Sequence, residues 1–177
     1  GRPLAGLQVT IEDGEIIVGG PTVMSGYLGD VPVSGVWRTG DVGTLDADGF
    51  LRVSGRKDCI IVTAEGRNVS PEWVEEALTA DPRIPFCVVV PHAQALAALV
   101  VAAEPLLTGR PGELAAAIAS AAQALPSYAR PRSYLAISEQ ELFDQQLLTA
   151  NRRPRRAAIA GLMSTRAIAL DPEWVAE

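Results

Sequence analysis

The pair Asp13-Gly14 stands between two runs of alternating character in LQVTIEDGEIIV, Leu7 to Val18, and this limits what the first part of the chain can become. Asp-Gly accepts positive φ at the centre of a tight turn, and a two-residue turn of that kind matches the twist of paired strands. The segment is therefore predicted to be a β-hairpin. VGTLDADGFLRVSG repeats the arrangement with a longer turn, Asp46 to Gly49, between VGTL and FLRV. Between the two, GGPTVMSGYLGDVPVSG is rich in glycine and proline and reads as loop. A β region this short has open edges that call for a covering neighbour.

Near Cys59 the pattern changes to strands mixed with helices. CIIVT is a strand candidate, and SPEWVEEALTA starts a helix with Ser70 as N-cap, Pro71 at the first helical position and Glu72 in the first turn. FCVVVP and ALAALVVAA read as strands, the second also compatible with helix because alanine favours helix and the run is unbroken. A helix is expected from about Pro111, a strand at RSYLAIS, and a terminal helix over RRAAIAGLMSTRAIAL with Ile159, Leu162, Met163 and Ile168 on its apolar face. Without a regular parallel repeat this is an α+β protein: a short β-hairpin subdomain followed by a small α+β domain, with the boundary at about residues 54–58.

At 177 residues and 48% hydrophobic content the chain can fill a core. A net charge of −6 and a pI near 4.9 exclude a general nucleic-acid partner, whose phosphates need a basic face. The longest apolar run, Ala95 to Ala103, is about half of the roughly 20 residues that span a bilayer. No membrane span and no signal segment are read, so a cytoplasmic location is expected. Cys59 and Cys87 lie in apolar stretches and are expected to serve as small core residues; no metal-ligand spacing is found. His92, the single histidine, follows a strand-like run and is expected at a strand end on the surface, with no serine nucleophile motif to pair with it. Against the acidic background TANRRPRR, Thr149 to Arg156, sets four arginines in eight residues.

The run WRTGDVGTLDADGFLRVSGRKDCIIVTAEGRNVSPEWVEEAL, Trp37 to Leu78, resembles the adenylate-forming enzymes: acyl-CoA and aryl-CoA synthetases, adenylation domains of peptide synthetases, and luciferases. GEIIVGGPTVMSGYLG, WRTGD, DGFLRVSGRKD, GRNVSPEWVE and LLTANRRPRR match successive stretches of that family in order and approximate spacing, and the ordered set is far more specific than any one motif. The resemblance implies that residues 1–54 are the last β subdomain of the large AMP-binding domain, 55–58 a hinge, 59–170 the C-terminal lid and 171–177 a tail. It implies a fragment or one half of a split enzyme, since no Gly-rich phosphate loop occurs here.

Residue by residue, the resemblance implies that Asp41 accepts the ribose hydroxyls of ATP or the acyl-adenylate, and that Arg56 contacts the same ribose. Asp58 takes the hinge position about which the lid turns between an adenylating and a thioester-forming pose. Gly66 lines the tunnel for the CoA or phosphopantetheine thiol. Arg153 stands where the family has a catalytic lysine, with Asn151 at the family's Asn and Arg152 at its Gly. Taken alone, Thr39-Gly40-Asp41 would be a turn before a strand, Arg56-Lys57 a solvated strand edge, and the arginine cluster a solvated loop. The function implied is the C-terminal part of an ATP-dependent acid–thiol ligase of acyl- or aryl-CoA synthetase type, as in fatty acid metabolism, forming an acyl-adenylate and then a thioester. Its partners would be a carboxylic acid, held by the missing N-terminal domain, and CoA or an acyl carrier protein. Mg2+ is expected for the complete enzyme and not on this chain, which alone is expected to be inactive. The alternative is a degenerate lid with adenylation lost, kept as a carrier-protein or partner-binding module; the lysine-to-arginine change favours it.

Overall fold

The computed structural model describes residues 1–29, 32–102 and 111–171. The chain divides into two compact units, Gly1–Ile60 and Ile61–Glu177. Of the tail expected at 171–177, all but Asp171 lies outside the described residues.

The first unit is one antiparallel sheet in the order β1-β2-β3-β4, formed by β1 (Gln8–Glu12), β2 (Glu15–Gly19), β3 (Val36–Leu45) and β4 (Leu51–Arg56). The Asp13-Gly14 turn forms as predicted, with φ of 48° and 78°, and pairs Glu12 with Glu15. β3 is longer than the alternation predicts: it begins at Val36 and carries Trp37 to Asp41 inside the sheet. It does so by bulging. Ile17 pairs with Arg38 and Glu15 with Val42, so Thr39, Gly40 and Asp41 stand opposite Ile16 alone. A second irregularity follows on the other side, between Val42–Gly55 and Gly43–Val53. Among the described residues of this unit, Glu15, Ile16, Ile17 and Gly43 are buried, so a carboxylate occupies part of a very small core.

Gly43 is required where the sheet crowds. A Cβ there would lie 2.3 Å from the Arg52 carbonyl oxygen and 2.8 Å from Ile16 Cδ1. Gly43→Ala is expected to destabilise this unit by about 1–3 kcal/mol, the usual cost of overpacking. Urea unfolding followed by tryptophan fluorescence, with Trp73 and Trp174 replaced by phenylalanine so that Trp37 alone reports, measures it, and an unchanged midpoint would mean that the bulge opens freely.

The second unit holds a sheet in the order β10-β9-β8-β7 and a two-stranded ribbon, β5 (Ile61–Val62) with β6 (Asn68–Val69). The strand expected at CIIVT is cut short: Lys57–Cys59 form a 3-10 turn with no buried residue, so Cys59 is not a core residue, in contrast to Cys87. β7 (Phe86–His92) and β8 (Ala95–Val101) are antiparallel, β8 and β9 (Ser133–Ile137) parallel, and β9 and β10 (Ile168–Ala169) antiparallel. The parallel step is bridged by α2 (Pro111–Ala122).

Both faces of this sheet are covered. Cys87, Val89, Ala98 and Val100 pack in one core with Val74 and Leu78 of α1 (Pro71–Thr79) and with Leu114 and Ile118 of α2. Val88, Val90, Ala97 and Leu99 pack in the other with Leu142 of α3 (Glu139–Asp144) and with Ile159 and Met163 of α4 (Arg156–Arg166). Two-sided burial is why FCVVV and ALAALVV are continuous rather than alternating, and it makes the ambiguous run a strand.

Three local details differ from expectation. Ser70 sits at the N-cap of α1, but its hydroxyl donates to Glu72 Oε2 instead of accepting a backbone N–H. α3 is an additional helix, capped by Ser138 Oγ accepting from Glu141 N–H at 3.1 Å; Ser138-Glu139-Gln140-Glu141 is a legible capping sequence. The terminal helix ends at Arg166, and Ile168, 51% exposed, pairs with Tyr134 in β10 instead of joining the apolar face of the helix. Among the described residues no helix is long and apolar enough to cross a membrane.

Candidate functional site

The bulge in β3 creates the site of the first unit. Three consecutive residues opposite one leave ladder groups without strand partners, and side chains replace them. Thr39 Oγ1 donates to the Ile16 carbonyl at 2.7 Å and accepts the Asp41 N–H at 3.0 Å. The Gly40 N–H donates to Glu15 Oε1 at 3.1 Å. Gly40 has φ +72°, a conformation that favours glycine, and a Cβ on it would come within 3.0 Å of Arg56 Nη2 and press on that guanidinium.

Asp41 is the direct cross-strand partner of Arg56. Arg56 Nη1 donates to Asp41 Oδ1 at 3.0 Å and to the Thr39 carbonyl at 2.9 Å, while Nε donates to Asp58 Oδ1 at 3.2 Å. The Asp41 carboxylate first, then Asp58, raises the already high pKa of this guanidinium. Three of the sequence-identified residues, Asp41, Arg56 and Asp58, therefore form one cluster, with Asp58 in the 3-10 turn that follows β4. Both Asp41 and Arg56 are partly open to solvent, with side chains 37% and 49% exposed.

Sequence reasoning assigned nothing to Glu15, whose side chain is 7% exposed at the back of this cluster. Oε2 accepts from Lys57 Nζ at 3.0 Å and from Arg38 Nη2 at 3.2 Å. The Lys57 ammonium holds the Glu15 carboxyl below the usual carboxylate range, aided by the Gly40 N–H and Arg38 and opposed by burial. A charged residue facing the core side of an otherwise apolar strand, EIIV, was the signal that could have found it.

Gly66 and Arg153 lie in the second unit. Gly66 has φ +71° in the turn joining β5 to β6, where its N–H donates to the Thr63 carbonyl at 2.9 Å; a Cβ there would meet nothing within 4 Å. The turn thus accounts for the glycine by conformation rather than by crowding. The Ala64 N–H donates to the Gln94 carbonyl and ties this ribbon to the β7–β8 turn, where His92 ends β7, half-buried.

The arginine cluster separates into different roles. Residues 148–154 form a tight loop closed by a bridge between Leu148 and Pro154, with the Thr149 N–H donating to the Arg153 carbonyl at 2.8 Å and the Arg153 N–H to Thr149 Oγ1 at 3.0 Å. Arg152 adopts φ +58°, a glycine-like conformation, and its guanidinium lies 5.7 Å from the centre of the Phe143 ring. Arg153 is exposed, and among the described residues its guanidinium has no hydrogen-bond or ion-pair partner. Arg156 is structural. Its Nη1 reaches Glu75 Oε1 and the Val89 carbonyl, and its Nη2 reaches Glu72 Oε1 at 3.1 Å.

Among the described residues no group of three or more His, Cys, Asp or Glu side chains is placed to hold a metal ion. The thiol of Cys87 is pushed well up by burial, with the Glu75 carboxylate adding to it, so this sulfur is a packing group.

No protein-family model matches the chain. Over 112 residues it is 40% identical to the long-chain-fatty-acid–CoA ligase FadD15 of Mycobacterium tuberculosis, a match covering 59% of this chain and 19% of that protein. It is 38% identical over 96 residues to the 2-succinylbenzoate–CoA ligase of Lactococcus lactis, covering 51% of this chain and 21% of that protein. Among solved structures, the amide bond synthetase McbA of Marinactinospora thermotolerans aligns with a TM-score of 0.70 at 30% identity, over 93% of this chain and 36% of that one. The chain thus spans about a fifth of the length of the curated relatives and about a third of that structure. By sequence and fold it is similar to the C-terminal portion of adenylate-forming enzymes, among them the CoA ligases it matches.

Proposed function

We propose that this chain supplies the ribose-binding sheet and the C-terminal lid of an ATP-dependent acid–thiol ligase, which joins a carboxylic acid to AMP and then passes the acyl group to a thiol. The observation that carries this reading is the Asp41–Arg56 pair. Arg56 engages Asp41 Oδ1, and Oδ2 has no partner among the described residues. A half-exposed, ionised carboxylate held this way suits two adjacent hydroxyls, each donating a charge-assisted hydrogen bond. Arg56, permanently charged and anchored on the Thr39 carbonyl, both orients that carboxylate and offers a donor to the sugar.

Asp58, bound to Arg56 at the end of β4, takes the hinge role, so the pivot of the lid and the ribose contact share one guanidinium. Gly66 takes the thiol-tunnel role and Arg153 the role of the cation that crosses to the α-phosphate. The similarity to CoA ligases supports CoA as the thiol; an acyl carrier protein is the other acceptor proposed. Mg2+, with the phosphates, belongs to the N-terminal part, as does the acid pocket. The location proposed is cytoplasmic. A degenerate lid is the second reading, favoured by arginine in place of the family lysine.

The test is ATP–pyrophosphate exchange with a panel of fatty and aromatic acids, run on the full-length gene product and on the 177-residue chain. Exchange by the full-length protein and none by the chain is expected. Robust exchange by the chain alone would overturn the assignment of the phosphate and acid sites to another part.

A further inference from the structure

We infer that Glu15 is a positioning residue for the ribose site, acting through Gly40 and Lys57 to hold Asp41 and Arg56 in register. The inference rests on the ribose reading of Asp41 given above.

Glu15 is buried in a unit with almost no core, and it touches both ends of the cluster. Through Oε1 it takes the Gly40 N–H, the group left without a strand partner by the bulge immediately before Asp41. Through Oε2 it takes Lys57, the residue immediately after Arg56 and before Asp58. One carboxylate therefore holds the backbone amide just before Asp41 and the side chain of the residue just after Arg56. Arg38 adds a third contact and is itself steadied by Glu12 at 2.9 Å.

A structural role alone would be served better by an apolar side chain, because a buried carboxylate carries a desolvation cost that only its donors offset. What an apolar residue cannot do is hold the Gly40 amide. Without that bond the bulge has an unpaired N–H, and Gly40, free of a Cβ, has other conformations open to it. Asp41 would then sample directions away from Arg56, and the loss would fall on hydroxyl recognition rather than on the adenine or the phosphate.

The experiment measures binding of AMP and of 2′,3′-dideoxy-AMP to the full-length gene product by calorimetry. Wild type is expected to prefer AMP by at least tenfold. Glu15→Met, similar in size but unable to accept the Gly40 N–H, is expected to weaken AMP about tenfold and leave dideoxy-AMP unchanged, whereas Glu15→Gln, which keeps one acceptor oxygen for that amide, is expected to retain most of the preference. Because Glu15 is buried, Lys57→Gln and Arg38→Gln are measured as well; both side chains are about half exposed, and each is expected to reduce the preference two- to threefold. A full preference retained in Glu15→Met, or in both of the exposed variants if Glu15→Met fails to fold, overturns the inference alone. A wild-type protein that binds the two nucleotides equally overturns the ribose reading, and this inference with it.

Discussion

Replacing Arg153 by alanine in the full-length gene product is expected to slow acyl-adenylate formation by about two to three powers of ten, the effect of losing one transition-state donor. Arg153→Lys is expected to be equal to the parent or faster. Among the described residues its guanidinium is left without a partner, unlike those of its neighbours. Arg156 is engaged by Glu75, Glu72 and the Val89 carbonyl, and Arg152 lies against Phe143, whereas Arg153 is uncommitted on a loop held by Thr149. A planar guanidinium keeps the charge of the family lysine and changes its geometry, which is why lysine should do no worse. Thioester formation from supplied acyl-adenylate should survive in Arg153→Ala if, as in the proposed function, that half-reaction uses the other pose of the lid. Equal slowing of both half-reactions would contradict a lid that turns. Parent, lysine and alanine proteins that are all equally slow in adenylation alone would favour the degenerate-lid reading.

Arg156→Ala is expected to destabilise the second unit by about 3 kcal/mol, at the lower end of what breaking a buried ion pair costs. The arginine side chain is 22% exposed and that of Glu75 16%, so water compensates little of the loss. The pair does more than attract. β7 is the outer strand of its sheet, and the Val89 N–H, on that free edge, donates to Glu75 Oε1 at 2.7 Å while the Val89 carbonyl accepts from Arg156 at 2.8 Å. The ion pair therefore caps the main chain of an apolar edge strand that would otherwise recruit another chain. Urea unfolding of the 177-residue chain, with light scattering alongside, reads both consequences. A midpoint change worth less than about 1 kcal/mol, or no added tendency to associate, would mean that the edge is protected by other means.

These two arginines, three positions apart, show where reading the sequence stops. TANRRPRR was legible as an anomaly because four arginines in an acidic chain need a reason. That Arg156 is tied into the fold while Arg153 stays exposed depends on Glu75, 81 positions from Arg156, and no local pattern encodes that meeting.

What depends on neighbours along the chain was readable before folding. The Asp13-Gly14 hairpin follows from turn conformation, and the start of α1 at Pro71 from a residue that fits the first helical position and no interior one. The ordered motifs placed Asp41, Arg56 and Asp58, which the fold brings together because β3 and β4 are joined by a short turn. The tertiary structure decided what depends on burial and on distant partners. ALAALVV is a strand because helices cover both of its faces, an environment that periodicity cannot report. Ile168 leaves the helical pattern to pair with Tyr134 across a sheet. Glu15 reads as one more acid in an acidic protein until the bulge of β3 leaves the Gly40 amide, 25 positions away, facing it, and Lys57, 42 positions away, closes over the same carboxylate. A buried charge takes its meaning from the donors around it, and those are assembled only when the chain folds.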